Sequence, residues 1–121
     1  MIIMTPAQLV QNARKNISAI DKYEAEQLIN SGATIIDVRE PEEFSTGFIP
    51  NAINIPRGIL EFAIGFHPIA KDPQATYVIY CRTTNRAIMG TESLKKIGYT
   101  NVHALDLGFP EWVQAGGSSS H

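Results

Sequence analysis

Short runs of apolar residues recur along the chain at regular intervals. Four of them have the length and the β-branched or aromatic content of strands: TIIDV at 34–38, AINIP at 52–56, TYVIY at 76–80 and NVHAL at 101–105. TYVIY is the most strand-like of the four, because it is apolar on both faces, as a central parallel strand requires. The runs are too short for helices, so the pattern predicts a set of short strands.

Between these runs, apolar residues recur with helical spacing and the segments carry helix start signals. Thr5 and Pro6 are a plausible N-cap and first helical residue of a leading helix. Asp21 and Glu24 have the spacing of a capping box, which predicts a second helix. Further helices or helical turns are predicted in EPEEF, in GILEFAIG, over 86–97 and from Pro110 to Gly116.

Predicted helices and strands therefore alternate, and the connections between them are short. This alternation predicts an α/β fold with three layers, in which helices cover both faces of a central parallel sheet. In such sheets, ligands bind at the carboxyl ends of the strands. Cys81 directly follows TYVIY and should lie at such an end.

Composition adds to this picture mainly by excluding other classes of function. The chain has 121 residues, 44% of them hydrophobic, and a formal net charge of -2. We therefore expect one compact unit without the global positive field that recruits nucleic acid or membranes. No apolar run approaches the roughly 20 residues of a membrane-spanning helix. The single cysteine is compatible with a reducing compartment, and we expect a cytoplasmic protein. The histidines are scattered, so we expect no bound metal.

The only cysteine, Cys81, has two competing interpretations. A lone cysteine after an apolar strand is more often a buried hydrophobic residue than a nucleophile. Here, however, Arg82 and Arg86 follow it closely, and two guanidinium groups have little structural reason to surround a thiol unless an anion lies between them. These charges, together with loop N–H groups and the positive end of a helix dipole, favour the thiolate. We therefore expect a nucleophile in an anion-binding loop.

The residues between the two arginines, Thr83, Thr84 and Asn85, are small and polar. Their side chains can hydrogen-bond an oxyanion or a sulfur anion held in the loop. Arg57 follows a strand-ending proline, so it is expected either to face the same pocket or to lie exposed. Leu60, Phe62, Ile64 and Phe66 do not follow helical spacing, and core packing is favoured for them over an exposed apolar rim near the pocket.

Three segments resemble, in order, motifs of the rhodanese family of sulfurtransferases. They are IIDVREPEEFSTGFIPNAINIP, YCRTTNRA and GYTNVHALDLGFPEWVQAG. The resemblance implies a parallel sheet of about five strands and a catalytic cysteine, here Cys81, at the head of a six-residue loop that ends at Arg86. It also implies that Asp37 and Arg39 are structural residues near the site, and that the chemistry needs no cofactor.

The resemblance further implies a reaction. Cys81 would take a sulfane sulfur from a donor such as thiosulfate, hold it as a persulfide and pass it to cyanide or to a thiol, either a small molecule or a protein. The expected substrate-binding residues are Arg82, Thr83, Thr84, Asn85, Arg86 and Arg57.

We expect a helical extension over 1–16, a rhodanese-like domain over 17–116 and a flexible tail over 117–121. The composition of the tail is compatible with an expression-tag remnant.

Some residues depart from the family pattern. Phe48 stands where histidine is common, Ala87 where serine is common, and Leu107 replaces the first of a glycine pair. Thr84 stands where glycine is frequent, so the loop either takes a different path or stores strain of about 1–3 kcal/mol.

Two alternatives to sulfur transfer remain. One is a binding or recruitment module that uses the pocket surface to dock a partner, against which the intact Cys81 argues. The other is a phosphatase or arsenate reductase. Four residues separate Cys81 from Arg86, whereas related phosphatases have a loop one residue longer, which suits the larger phosphate. Loop length therefore favours sulfur transfer.

Overall fold

The computed structural model describes residues 3–121, which form one parallel sheet flanked by helices. The strands are β1 (Ser18–Ile20), β2 (Thr34–Asp37), β3 (Ile53–Asn54), β4 (Thr76–Tyr80) and β5 (Asn101–Leu105). The helices are α1 (Pro6–Arg14), α2 (Lys22–Asn30), α3 (Pro41–Phe44), α4 (Leu60–Ala63), α5 (Asn85–Lys96) and α6 (Phe109–Gln114). Single 3-10 turns over Arg57–Ile59 and Ile64–Phe66 flank α4.

The strand order is β1-β5-β4-β2-β3, and every neighbouring pair is parallel. The predicted central strand, β4, lies in the middle of this sheet. Ile79 pairs in register with Ile36 of β2 and with Ala104 of β5. The carboxyl ends of β2 and β4 therefore meet at one edge, where Asp37 and Cys81 are found.

Successive residues of β4 pack into different clusters on the two faces of the sheet, as the pleat requires. Tyr77, Ile79 and Cys81 belong to the cluster that includes Leu60 and Leu94. On the other face, Val78 and Tyr80 pack in a second cluster with residues of α2 and with Trp112 of α6. Helices thus cover both faces, and the predicted α/β fold is confirmed.

Local signals account for most helix boundaries. The side chain of Thr5 caps the N-terminus of α1, and Asp21 and Glu24 form the predicted capping box at α2. α5 begins one residue earlier than predicted, at Asn85, and α6 begins at Phe109. AINIP contributes only two residues to the sheet. β1 was not predicted, because three residues carry too little periodicity to be distinguished from a loop.

Residues 118 and 120 hydrogen-bond to the rest of the domain. The Trp112 indole N–H donates to the carbonyl of Ser118 at 2.8 Å, and Ser120 exchanges two backbone hydrogen bonds with Phe48. Phe48 also stacks on Phe44, with 4.2 Å between the ring centroids.

The predicted domain limits and the predicted tail flexibility stay predictions, and residues 1 and 2 of the predicted extension lie outside the described residues. Over residues 3–121, no helix is both long and apolar enough to cross a bilayer.

Candidate active site

Cys81 lies directly after β4, at the carboxyl edge of the sheet, as predicted. The chain then passes through residues 82–84 and enters α5 at Asn85. The N–H of Phe109, the first residue of α6, donates to the carbonyl of Cys81 at 3.0 Å, so the start of α6 fixes the start of the loop. The loop is thus held at its start by the end of β4 and by the first residue of α6.

The Cys81 side chain has no exposed surface and belongs to the apolar cluster beneath α5. Its sulfur accepts a hydrogen bond from the N–H of Ala87, with 3.3 Å between Sγ and N. This N–H belongs to the first turn of α5, where the helix leaves N–H groups without backbone partners. The positive end of the helix therefore faces the sulfur and favours an anion there. Because the donor is a backbone group, this hydrogen bond does not depend on whether alanine or serine stands at position 87.

Thr84 adopts φ +78° and ψ -31° immediately before α5. A β-branched residue resists positive φ, so the loop stores strain here, at a cost of about 1–3 kcal/mol. Such a conformation persists only when the surrounding structure imposes it. Arg82, Thr83 and Asn85 are exposed.

Arg86 extends from the first turn of α5 to the carboxylate of Glu43 in α3. The two distances are 2.7 Å from Nη1 to Oε1 and 3.1 Å from Nη2 to Oε2. These hydrogen bonds lower the pKa of Glu43 to about 2, although burial opposes the shift. The same contact raises the pKa of Arg86. Arg86 is thus ion-paired with Glu43, and its expected role in substrate binding stays a prediction.

Arg57 is also paired. Its Nη1 lies 2.9 Å from the Glu61 carboxylate, and its Nη2 donates to Ser93 Oγ of α5 at 3.2 Å. Arg82, by contrast, is exposed and makes no ion pair with any of residues 3–121. Within residues 3–121, Arg82 is thus the one of these three arginines whose charge is not balanced by an ion pair.

Asp37 and Arg39 form a buried ion pair at the end of β2, beside the loop. The Arg39 Nη2 lies 2.7 Å from Asp37 Oδ2 and donates to the Gly47 carbonyl at 2.6 Å. Burial lowers the pKa of Arg39, but the hydrogen bonds and charge of Asp37 outweigh it, so the net shift is upward. For Tyr80, burial raises the pKa, and the negative charge of Asp37 raises it further. The expected strand-end ion pair is present, and it ties the loop after β2 to the sheet.

Two residues important to the loop were not singled out from the sequence. Glu43 lies in the first turn of its own short helix, and no local sequence signal pairs it with Arg86, 43 positions away. Gly108 lies against the loop so closely that a β-carbon there would fall 1.9 Å from the carbonyl oxygen of Arg82. The available signals for this close approach were a glycine between a strand and a helix and its place as the second residue of the glycine pair in the family pattern.

A cavity of about 420 Å³ lies elsewhere, between α2 and α6. Its lining includes Tyr23, Asn51 and Trp112 but none of residues 81–86. Its size makes it a candidate ligand site, but Cys81 is not among its lining residues. The cavity is therefore separate from the Cys81 loop.

A sequence model of the rhodanese-like domain matches residues 21–115. The chain belongs to this family. Human thiosulfate:glutathione sulfurtransferase is 33% identical over 104 residues, which cover 75% of this chain and 89% of that protein. The predicted family resemblance is thus confirmed.

Solved structures share the fold of this rhodanese-like domain. A human single-domain sulfurtransferase superposes with a TM-score of 0.72 at 29% identity. The superposed region covers 79% of this chain and 95% of that protein. A protein from Rhodopseudomonas palustris superposes with a TM-score of 0.88 at 27% identity, with coverage of 99% and 97%. That protein is described as having unknown function, with tyrosine phosphatase activity suggested for it.

Proposed function

We propose that this rhodanese-like domain is a thiosulfate sulfurtransferase that works through a persulfide on Cys81. The observation that carries the proposal is the position of the sulfur, at the end of β4 and at 3.3 Å from the N–H of Ala87. Membership of a sulfurtransferase-containing family supports it, as does the name of the human relative. The resident group is the cysteine itself, so the proposed reaction requires no cofactor.

In the first half-reaction, the Cys81 thiolate attacks the outer sulfur of thiosulfate. A bond forms between the cysteine sulfur and the outer sulfur, while the bond between the two sulfurs of thiosulfate breaks and its electron pair leaves with sulfite. The enzyme retains a persulfide with one negative charge, and the dianion sulfite departs. The N–H of Ala87 and the end of α5 stabilise the anion on the cysteine, as an oxyanion hole does for a developing alkoxide.

In the second half-reaction, a nucleophilic acceptor attacks the outer sulfur of the persulfide. Cyanide would leave as thiocyanate, and a thiolate, from a small molecule or from a protein, would leave as its own persulfide. Either transfer regenerates the Cys81 thiolate with charge conserved. We place this cycle in the cytoplasm, with no role for nucleic acid or membranes.

The roles of the loop residues follow from their exposure and charge. Arg82 is the substrate-binding arginine, because its guanidinium is exposed and unpaired within residues 3–121. Thr83 and Asn85 lie beside it on the exposed surface and can donate to the oxygens of thiosulfate. Thr84 shapes the loop through its positive φ. Arg57 reaches substrate only if it leaves Glu61.

A phosphatase is the second candidate, since it has been suggested for the Rhodopseudomonas palustris relative. The loop of this chain has four residues between Cys81 and Arg86, which suits a single sulfur better than a tetrahedral phosphate. A non-catalytic binding module is a third candidate, and it gives no reason for the helix N-terminus to face the sulfur.

A steady-state assay separates these candidates. The wild-type protein should produce thiocyanate from thiosulfate and cyanide, and Cys81→Ser should not. A generic aryl phosphate, tested with the same protein, should not be hydrolysed. Phosphate release without thiocyanate would establish the phosphatase, and the absence of both activities would leave the binding module.

A further inference from the structure

We propose that Glu43 is a positioning residue for the sulfur-transfer reaction: by holding Arg86, it fixes the strained loop in the geometry that presents the Ala87 N–H to Cys81. The inference rests on the sulfurtransferase function proposed above. It gives Glu43 a role that its position in the first turn of α3 does not by itself suggest.

The carboxylate of Glu43 is held on two sides. Both oxygens accept from Arg86, at 2.7 and 3.1 Å, in a two-point contact of the kind that gives directional as well as electrostatic restraint. Oε1 also accepts from the N–H of Glu40 at 3.0 Å, which fixes the carboxylate against the start of α3. The side chains of Arg86 and Glu43 are only 33% and 28% exposed. The pair is thus better defined than a typical surface ion pair.

The restraint reaches the sulfur through one peptide unit. Arg86 directly precedes Ala87, whose N–H donates to Cys81 Sγ at 3.3 Å. Because Arg86 lies in the first turn of α5, anchoring its side chain to α3 limits the movement of that turn. A shift of the turn would carry the N–H away from the sulfur.

The loop needs such a restraint from outside. Thr84 holds φ +78°, a conformation that a threonine leaves when its surroundings permit. The hydrogen bond from Phe109 to the Cys81 carbonyl fixes the loop before Thr84. The contact between Glu43 and Arg86 fixes it after Thr84. The two anchors lie on either side of the strained residue.

The competing interpretation is that Arg86 binds thiosulfate directly and that Glu43 merely competes for it. The two interpretations predict opposite results for Glu43→Gln. If Glu43 positions the loop, its loss lowers kcat and leaves the KM for thiosulfate nearly unchanged. If Glu43 competes with substrate, its loss frees Arg86 and lowers KM.

The experiment measures kcat and KM for thiosulfate in wild type, Glu43→Gln, Arg86→Gln and the double variant. Glu42→Gln is the matched control, because it removes the same charge from the same turn of α3 and Glu42 makes no ion pair with residues 3–121. We expect kcat to fall by roughly tenfold or more in Glu43→Gln, the effect of losing a charge-assisted hydrogen bond. Glu42→Gln should match wild type. The double variant should be no slower than Arg86→Gln, because Glu43 acts through Arg86.

Three results would overturn the proposal: equal kcat in Glu43→Gln and Glu42→Gln, a lower KM with kcat retained, or full additivity in the double variant. Glu43→Asp provides the second test if Glu43→Gln does not fold. It keeps the charge on a shorter side chain, so kcat should be intermediate, and wild-type kcat would count against positioning.

Mass measurement after thiosulfate treatment separates this proposal from the function on which it rests. A wild-type protein that gains no sulfur refutes the function, whereas a gain of sulfur with an unaffected Glu43→Gln refutes only the positioning role.

Discussion

Replacing Gly108 with alanine should disrupt the Cys81 loop while leaving the rest of the fold in place. The new β-carbon would lie 1.9 Å from the carbonyl oxygen of Arg82 and 2.8 Å from its carbonyl carbon. Gly108 has φ -71° and ψ 158°, which alanine adopts freely, so the effect would be steric. Restoring an acceptable contact requires a relative shift of about 1 Å between the two backbones.

The size of the effect follows from that shift. A displacement of about 1 Å at a reacting group can lower a rate by roughly 100-fold. Overpacking in a well-packed region costs about 1–3 kcal/mol of folding free energy. Gly108→Ala should therefore lose most of its kcat in the thiosulfate:cyanide assay and show a reduced free energy of unfolding in urea.

Gly65→Ala is the control for this prediction. A β-carbon at Gly65 meets nothing within 4 Å, and no positive φ constrains that position. It should retain wild-type kcat. If Gly108→Ala stays within about threefold of wild type in kcat, which is roughly 0.7 kcal/mol, and unfolds at the same urea concentration, the inferred close contact does not hold the loop.

Three further predictions concern charged groups. Asp37→Asn should cost about 3–5 kcal/mol of folding free energy in a urea titration, since it leaves buried Arg39 without its counter-charge. The control is Asp106→Asn, which breaks the ion pair with Arg14, whose two side chains are 31% and 41% exposed; it should cost at most about 1 kcal/mol. Equal losses would contradict the burial argument. Because the pKa of Glu43 is lowered from 4.5 to about 2, its contribution to stability is complete above pH 4.5 and is lost as the pH falls toward 2. Melting temperatures of wild type and Glu43→Gln should therefore converge at low pH, and a constant difference would refute this linkage. Arg82→Gln should raise the KM for thiosulfate by roughly tenfold with little change in stability, and an unchanged KM would remove Arg82 from the binding site.

The fold could be predicted largely because its determinants are local. Apolar runs of strand length and cap residues such as Thr5 and Asp21 act within a few positions of the elements that they define. The edge strands were harder, because β1 has three residues and β3 has two. Strands this short are defined by hydrogen bonds to their neighbours, which periodicity does not reveal.

The segment after β3 shows the same limit in its side chains. Core packing was favoured for its four apolar residues, yet only Leu60 and Ile64 are buried, while Phe62 and Phe66 are 78% and 89% exposed. That prediction was wrong for the two phenylalanines. A helical turn flanked by two 3-10 turns changes the direction of successive side chains, so spacing alone could not identify the buried pair.

At the candidate site, the sequence located the Cys81 loop but not the partners of its charges. The loop follows a recognisable strand and precedes a recognisable helix, so its position depends on neighbouring residues. The pairing of Arg86 with Glu43 depends instead on how α3 packs beside α5. For the same reason, the sequence could not distinguish exposed Arg82 from the paired arginines.

The most direct test of the account is the intact mass of the protein after brief treatment with thiosulfate and removal of excess reagent. Wild type should gain the mass of one sulfur atom, cyanide should remove it, and Cys81→Ser should gain none. A wild-type protein that acquires no sulfur, or a Cys81→Ser variant that acquires it equally, would contradict the proposal that Cys81 carries the transferred atom.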